Sequence, residues 1–291
     1  MRSVAQAFEE FLQRIELTDA EREKASIQQK VVRDRLRQHL SGFQRDILSG
    51  SYSRRTAIRP LNDIDIFIIL DERFHRDVYP PSPPEECLKK VQHALGQAYP
   101  NKEQARIQGR SVNIEFTGTG IGYDVVPAFS VSGGVYMIPD RGRQSWIRTD
   151  PERHRAVCQA ANERAGSKLN PLVKAAKRWN YENGRLLRSF HLEVMAYDAF
   201  KAPPPSYQEG LRALFAHLAD AVTRARPDPA GVGPNIDAGM NSEERGRIQK
   251  ALREAAGQAQ RAVELERLGR TEEAHSLWRG LLGADYPEKG R

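Results

Sequence analysis

The chain has 291 residues, 39% hydrophobic and 29% charged, which suits a globular protein with a sizeable core in one large domain or two smaller ones. Its formal charge of +7 is spread along the sequence without a polybasic tail, a pattern compatible with polyphosphate ligands and weak as a sign of a nucleic-acid groove. Two cysteines, Cys87 and Cys158, exclude a disulfide framework, seven histidines without i, i+4 spacing argue against a zinc centre, and no apolar run nears the roughly 20 residues of a membrane span.

In chain order, residues 4–16 and 18–40 are expected to be helices, the second opened by a capping box of Thr18 and Glu21. The first, "MRSVAQAFEEFLQRIEL", alternates charged and apolar residues and lacks the continuous apolar segment of a secretory signal, so a cytoplasmic location is the default. A turn follows at Gly50-Ser51, then an apolar strand, "DIDIFIIL". "SPPEECLKKVQHALGQAY" is expected to be helical with proline at its entry, and "SVNIEFTG" and "IGYDVVPAF" to be strands. Pro127 and Gly133-Gly134 are expected to stop strand structure, leaving "VYMIPDRGRQSW" as a loop with one short strand. From Asp150, a helix cap ahead of Pro151, the pattern is helical almost to the end, broken by the Pro/Gly loop "RPDPAGVGPN". The expected fold is α+β, a mixed-sheet lobe over 1–149 that includes the N-terminal helices, packed against a helical lobe over 150–291 with a cleft between them.

Two acids interrupt the oily strand. Side chains on a strand alternate, so Asp63 and Asp65 share a face one pleat apart and repel unless a cation lies between them. Oxygen-only ligands favour a hard ion such as Mg²⁺ or Mn²⁺. Asp124, in a second apolar strand, is the third candidate, and three such acids on adjacent strands suit a two-metal phosphoryl-transfer site. Asp63, at the start of the strand, has a plainer reading as a turn or cap residue, whereas Asp65, with isoleucine on both sides, is harder to dismiss. A Gly-Ser turn a dozen residues before an apolar D-x-D strand, with a later acid on another strand, is a more specific combination, because glycine and a serine hydroxyl can hold phosphate oxygens.

That combination resembles the polymerase β-like nucleotidyltransferase superfamily. Within it, "GSYSRRTAIRPLNDIDIFIIL", "YMIPDRGRQSWIRTDPERH", "LVKAAKRWN", "RSFHLEVMAY" and "AHSLWRGLLGADYP" resemble the bacterial CD-NTases, relatives of 2′-5′-oligoadenylate synthetase and of animal cyclic GMP-AMP synthase, across nearly the whole chain. The resemblance implies that Asp63, Asp65 and Asp124 are catalytic and hold two Mg²⁺ or Mn²⁺ ions. It further implies that Gly50 and Ser51 hold phosphate, that Lys177 reaches the donor triphosphate, that Ser189 makes a second phosphate contact, and that Phe190 stacks on a base. Against these stand ordinary roles: Lys174 and Lys177 as exposed helix lysines, Ser189 as a cap, Phe190 as core, Trp179 and His191 as packing, Arg54 and Arg55 as surface residues.

The activity so implied is synthesis of a cyclic di- or trinucleotide second messenger from nucleoside triphosphates, with release of pyrophosphate, in bacterial antiphage defence. It implies a monomer that needs neither nucleic acid nor membrane and whose product is bound by a downstream effector. Two other readings share the acids: an RNA-tailing or tRNA nucleotidyltransferase, and an inactive nucleotide-binding sensor.

Overall fold

Alternation along "DIDIFIIL" organises the molecule. In the computed structural model, which describes residues 2–288, this segment is β2 (Asp63–Leu70), flanked by β1 (Phe43–Leu48) and β5 (Ile121–Ser132). The sheet order is β1-β2-β5-β4-β3, with β3 at Arg106–Ile107 and β4 at Val112–Phe116; β6 (Val135–Asp140) pairs with β5, and β7 (Ser145–Thr149) with β6. The β2–β5 pair is parallel and the others are antiparallel, a mixed sheet.

Ile64, Ile66 and Ile68 point to one face, where they are buried with Val32 and Leu36 of α2 (Asp19–His39) and Leu88 and Val91 of α4 (Pro84–Ala98). Phe67 and Ile69 point to the other face and are covered by Ile47, Val126, Tyr136 and Ile138. Asp63 and Asp65 share that second face but precede its apolar cover. The strand is therefore oily on both faces at its C-terminal end and acidic on one face at its start.

Three local expectations are corrected. β5 continues through Pro127 to Ser132. Its ladder with β4 ends at Val125 and its ladder with β6 begins at Phe129, so Pro127 sits in the gap, where a missing N–H breaks neither. The segment expected as a loop with one short strand forms the β6–β7 hairpin, because Tyr136 and Ile138 alternate inward onto the sheet. β1 was not anticipated: "FQRDIL" is an edge strand whose polar residues face outward, which hides its period.

The helical lobe contains α5 (Pro151–Arg164), α6 (Leu169–Glu182), α7 (Ser189–Ala196), α8 (Tyr207–Ala221), α9 (Ser242–Arg267) and α10 (Thr271–Leu282). Asp150 caps α5, accepting from the Arg153 N–H at 2.8 Å, and the Thr18–Glu21 capping box forms as expected. α1 (Val4–Ile15) lies elsewhere than expected. Its Val4, Ala7, Phe8, Phe11 and Ile15 are buried in the helical core, and the Phe8 ring meets Trp278 edge-on at 4.7 Å and Tyr286 at 5.6 Å. The expected boundary at residue 149 therefore separates α1 from the core it completes. The apolar stripe that predicts α1 does not say which lobe it covers. Among the described residues, no helix is long and apolar enough to cross a membrane.

Phe8→Ala removes a fully buried ring from this core, so unfolding stability is expected to fall by about 3–5 kcal/mol. Leu268→Ala, at a side chain 71% exposed, is expected to stay within about 0.5 kcal/mol. Urea unfolding of the two variants checks both values.

Candidate active site

The parallel register sets Asp65 directly beside Asp124, and the antiparallel register sets Asn113 of β4 on the other side of Asp124. Register partners project to the same face, so Asp65, Asp124 and Asn113 form a row across three strands, with Asp63 one pleat before Asp65. The Asn113 Nδ2 donates to Asp124 Oδ1 at 2.8 Å, while its own Oδ1 is buried without a partner. Gly122, opposite Asp63, leaves space for this amide: a Cβ there would lie 2.9 Å from Nδ2.

Charge is costly along this row. Burial, then repulsion from Asp63 and Asp124, pushes the Asp65 carboxyl up to about 7, against the attraction of Arg54. Burial also raises Asp124, with Asn113 opposing it by its hydrogen bond. Among the described residues, no three His, Cys, Asp or Glu side chains converge on one point to cage an ion; the carboxylates form an open row. The donor set nevertheless fits a hard divalent cation. It consists of oxygen ligands whose mutual repulsion a cation would relieve, with further ligand positions left to a substrate's phosphates or to water.

The turn beside the row is α3 (Gly50–Ser53), a single helical turn. Gly50 has φ +65°, and a Cβ there would lie 1.7 Å from Asp65 Oδ2, so only glycine lets the turn approach the carboxylate. The Ser49 N–H donates to the Asp65 carbonyl at 2.9 Å, and the Ser51 carbonyl accepts from the N–H groups of Thr56 at 2.9 Å and Ala57 at 3.1 Å. The Gly-Ser turn and the D-x-D strand, a dozen residues apart in sequence, are thus in direct contact.

The helical lobe meets this turn through buried charges. Glu193 of α7 is fully buried and accepts from Arg54 Nε at 2.8 Å and from the Lys177 ammonium. Lys177 also donates to the Thr56 carbonyl at 2.9 Å and the Thr56 hydroxyl at 3.3 Å. Burial alone would raise the Glu193 carboxyl, but Arg54 and Lys177 outweigh it and hold the group at about 2. Burial lowers Lys177, with Glu193 opposing.

All three N–H donors of Lys177 have protein acceptors, on Thr56 and Glu193, and the residue is 5% exposed. Lys174 is equally buried, paired with Glu16, so neither lysine is an ordinary exposed one. Phe190 does not present an open platform: the Arg54 guanidinium carbon lies 4.5 Å from its ring centroid, His154 lies 5.1 Å away, and the half-buried ring packs on the helical core. Ser189 is exposed at the first position of α7, behind an N-cap residue, Arg188, that makes no side-chain cap bond. Ser51 is half-buried. Trp179 packs against Phe215. Arg54, weighed as a surface residue, is buried, whereas Arg55 is exposed. Sequence reasoning missed Asn113 and Glu193. Both are polar residues set among apolar neighbours, in "SVNIEF" and "HLEVMA", the same signal that singled out the aspartates.

This architecture of a mixed sheet faced by a helical lobe is shared with solved cyclic-nucleotide synthases. The solved structure of Vibrio cholerae DncV cyclic AMP-GMP synthase with the linear intermediate 5′ pppA(3′,5′)pG superposes with a TM-score of 0.79 at 14% identity, covering 98% of this chain and 97% of that one. The structure of Escherichia coli MS115-1 CdnC with ATP superposes at 0.77 with 20% identity, covering 98% and 99%. Residues 1–162, more than half of the chain, match the profile of the Second Messenger Oligonucleotide or Dinucleotide Synthetase domain, and the chain belongs to that family. A cyclic AMP-AMP-AMP synthase from an Acinetobacter species is 28% identical over 265 residues, spanning 82% of this chain and 72% of the relative.

Two outcomes are expected at the carboxylate row. The folded-state pKa of Asp65 lies above that of an unfolded aspartate, so the native state holds the extra proton. Without metal, its stability falls as pH rises from about 4 through 7, by a few kcal/mol at most. Asp65→Asn abolishes that loss. The variant is expected to melt higher than the parent at pH 8 in chelator and to lose most of the stabilisation that added Mg²⁺ gives the parent, as read by thermal melts with and without Mg²⁺. Gly50→Ala drives a Cβ into Asp65 and is expected to cost at least about 1 kcal/mol in strain and to cut turnover by a hundredfold or more, checked by melting and product assays.

Proposed function

We propose that the protein is a metal-dependent nucleotidyltransferase that joins nucleoside triphosphates into a cyclic di- or trinucleotide second messenger. The observation that carries this reading is the in-register row of Asp65 and Asp124 in contact with the Gly50–Ser51 turn. It supports the reading because acidic side chains lie against a glycine turn of the kind suited to holding phosphate.

In the reaction, an acceptor ribose oxygen forms a bond to the α-phosphorus of a triphosphate, and the bond from that phosphorus to the departing pyrophosphate breaks. Divalent cations, two Mg²⁺ or Mn²⁺ held by Asp63, Asp65 and Asp124, would neutralise charge on the attacking and leaving oxygens. Asp124 takes the acceptor hydroxyl proton, its carboxylate oriented by Asn113. The Gly50 and Ser51 N–H groups and the Ser51 hydroxyl hold the donor phosphates on the sheet side, and the Ser189 hydroxyl holds them from α7. A second transfer, onto a linear intermediate turned around in the cleft, closes the ring. Such a product acts away from the enzyme, through a separate effector protein in antiphage defence, and the enzyme works as a monomer without a nucleic-acid template. The relative's name, cyclic AMP-AMP-AMP synthase, makes ATP the first substrate to supply.

Purified protein with Mg²⁺ or Mn²⁺ and ATP, then with GTP, CTP and UTP added, is expected to give a phosphatase-resistant product whose mass identifies the ring. Asp63→Asn/Asp65→Asn is expected to remain folded and make none. Extension of an added RNA would instead support a tailing enzyme, and silence with all four nucleotides a sensor. Because free nucleotides present few phosphates, the rate is expected to change modestly between about 50 and 200 mM salt, well short of the roughly thousandfold loss for six or more phosphate contacts. A steep salt slope, or dependence on added nucleic acid, would reassign the dispersed positive charge to a polymer.

A further inference from the structure

We propose that Glu193 is a positioning residue: from the helical lobe it fixes the turn over residues 50–57, and through it the placement of Gly50 against Asp65. Its consequence for turnover rests on nucleotidyl transfer as the function, whereas the conformational claim stands on the geometry alone.

Glu193 is the shared acceptor of two buried cations, and both end on the same short segment. Arg54 belongs to the turn and bonds Glu193 through Nε at 2.8 Å and Nη2 at 3.4 Å. Lys177 comes from α6, bonds the same carboxylate, and grips Thr56 by its carbonyl and hydroxyl. Asn170 adds a third grip, its Nδ2 donating to the Arg54 carbonyl at 3.3 Å. From there the path is backbone. The Arg54 N–H donates to the Gly50 carbonyl at 3.2 Å, the Thr56 N–H donates to the Ser51 carbonyl at 2.9 Å, and Gly50 abuts the Asp65 carboxylate. One side chain of α7 is thereby linked, without a gap, to the edge where the metals and phosphates are proposed to sit.

The energetics favour a geometric role over a stabilising one. Burying three charged groups costs several kcal/mol per ion, and apolar side chains of similar volume usually hold two lobes together at least as well. A buried carboxylate with two charge-assisted partners does something apolar packing does less well: it restricts each partner to a narrow range of positions. Thr56 is fully buried and Arg54 is 8% exposed, so the turn has no solvent route by which to replace these bonds.

The test compares the parent with Glu193→Gln and with the double variant Lys177→Met/Glu193→Gln. Glu193→Gln alone leaves two buried cations and risks misfolding. The double variant keeps the same net buried charge as the parent and holds the test open if the single variant fails. Amide hydrogen exchange is read across the chain, together with circular dichroism and turnover. In the folded double variant, the amides of Ser53, Arg54, Thr56 and Ala57 are expected to exchange at least tenfold faster, with those of α8 and α9 within twofold of the parent. Turnover is expected to fall at least a hundredfold, while Mg²⁺ still raises the melting temperature because the carboxylate row is intact. Parent-like exchange over 50–57 would overturn the proposal. So would uniform acceleration throughout the helical lobe, the mark of a residue that only glues the lobes together. Should the parent form no nucleotide product at all, the proposed function fails, and the exchange data still decide the role of Glu193.

Discussion

Parallel pairing of β2 with β5 is the constraint on which the rest of the site depends. A parallel ladder sets register partners side by side on one face, and here the partners are Asp65 and Asp124. Shifting the ladder by one residue would turn one carboxylate onto the opposite face, among the isoleucines packed on α2 and α4. The apolar alternation of Ile64, Ile66 and Ile68 resists that slip, so the hydrophobic core sets the geometry of the acids. Placement of the acids and packing of the core are two readings of the same period-two pattern.

A fold that gathers like charges needs devices that tolerate them. Three are visible. Asn113 gives Asp124 a hydrogen bond without adding charge. Arg54 exerts an attraction on Asp65 while its own hydrogen bonds go to Glu193, so it does not occupy the Asp65 carboxylate oxygens. Gly50 contributes by having no side chain, which brings backbone close to Asp65. The residual strain shows in the raised pKa values of Asp65 and Asp124. That mutual repulsion is what the cation proposed for this row would relieve.

Much of this was legible in the sequence, for reasons that also explain the gaps. The carboxylates stood out because each breaks an apolar run, and the helix caps at Thr18 and Asp150 because their spacing is local. The partner of Lys177 was not legible, since nothing in "LVKAAKRWN" distinguishes an ammonium facing a phosphate from one facing a buried glutamate on another helix. Pro127 misled because the local rule, that proline stops strands, ignores a change of ladder partner that only the tertiary fold creates. α1 misled for a related reason. Amphipathic periodicity reports that a face is covered and carries no information about which lobe covers it.

The placement of α1 has a consequence for motion. Because α1 packs in the helical lobe and α2 packs behind the sheet, the chain passes from one lobe to the other at residues 16–18 and again near Asp150. The first passage is pinned where Glu16 meets Lys174. Two covalent tethers at separate points oppose sliding of one lobe on the other. Any parting of the lobes would pull Glu193 and Lys177 off Arg54 and Thr56, so the buried cluster opposes it and holds Ser189 of the helical lobe at a set distance from the aspartate row.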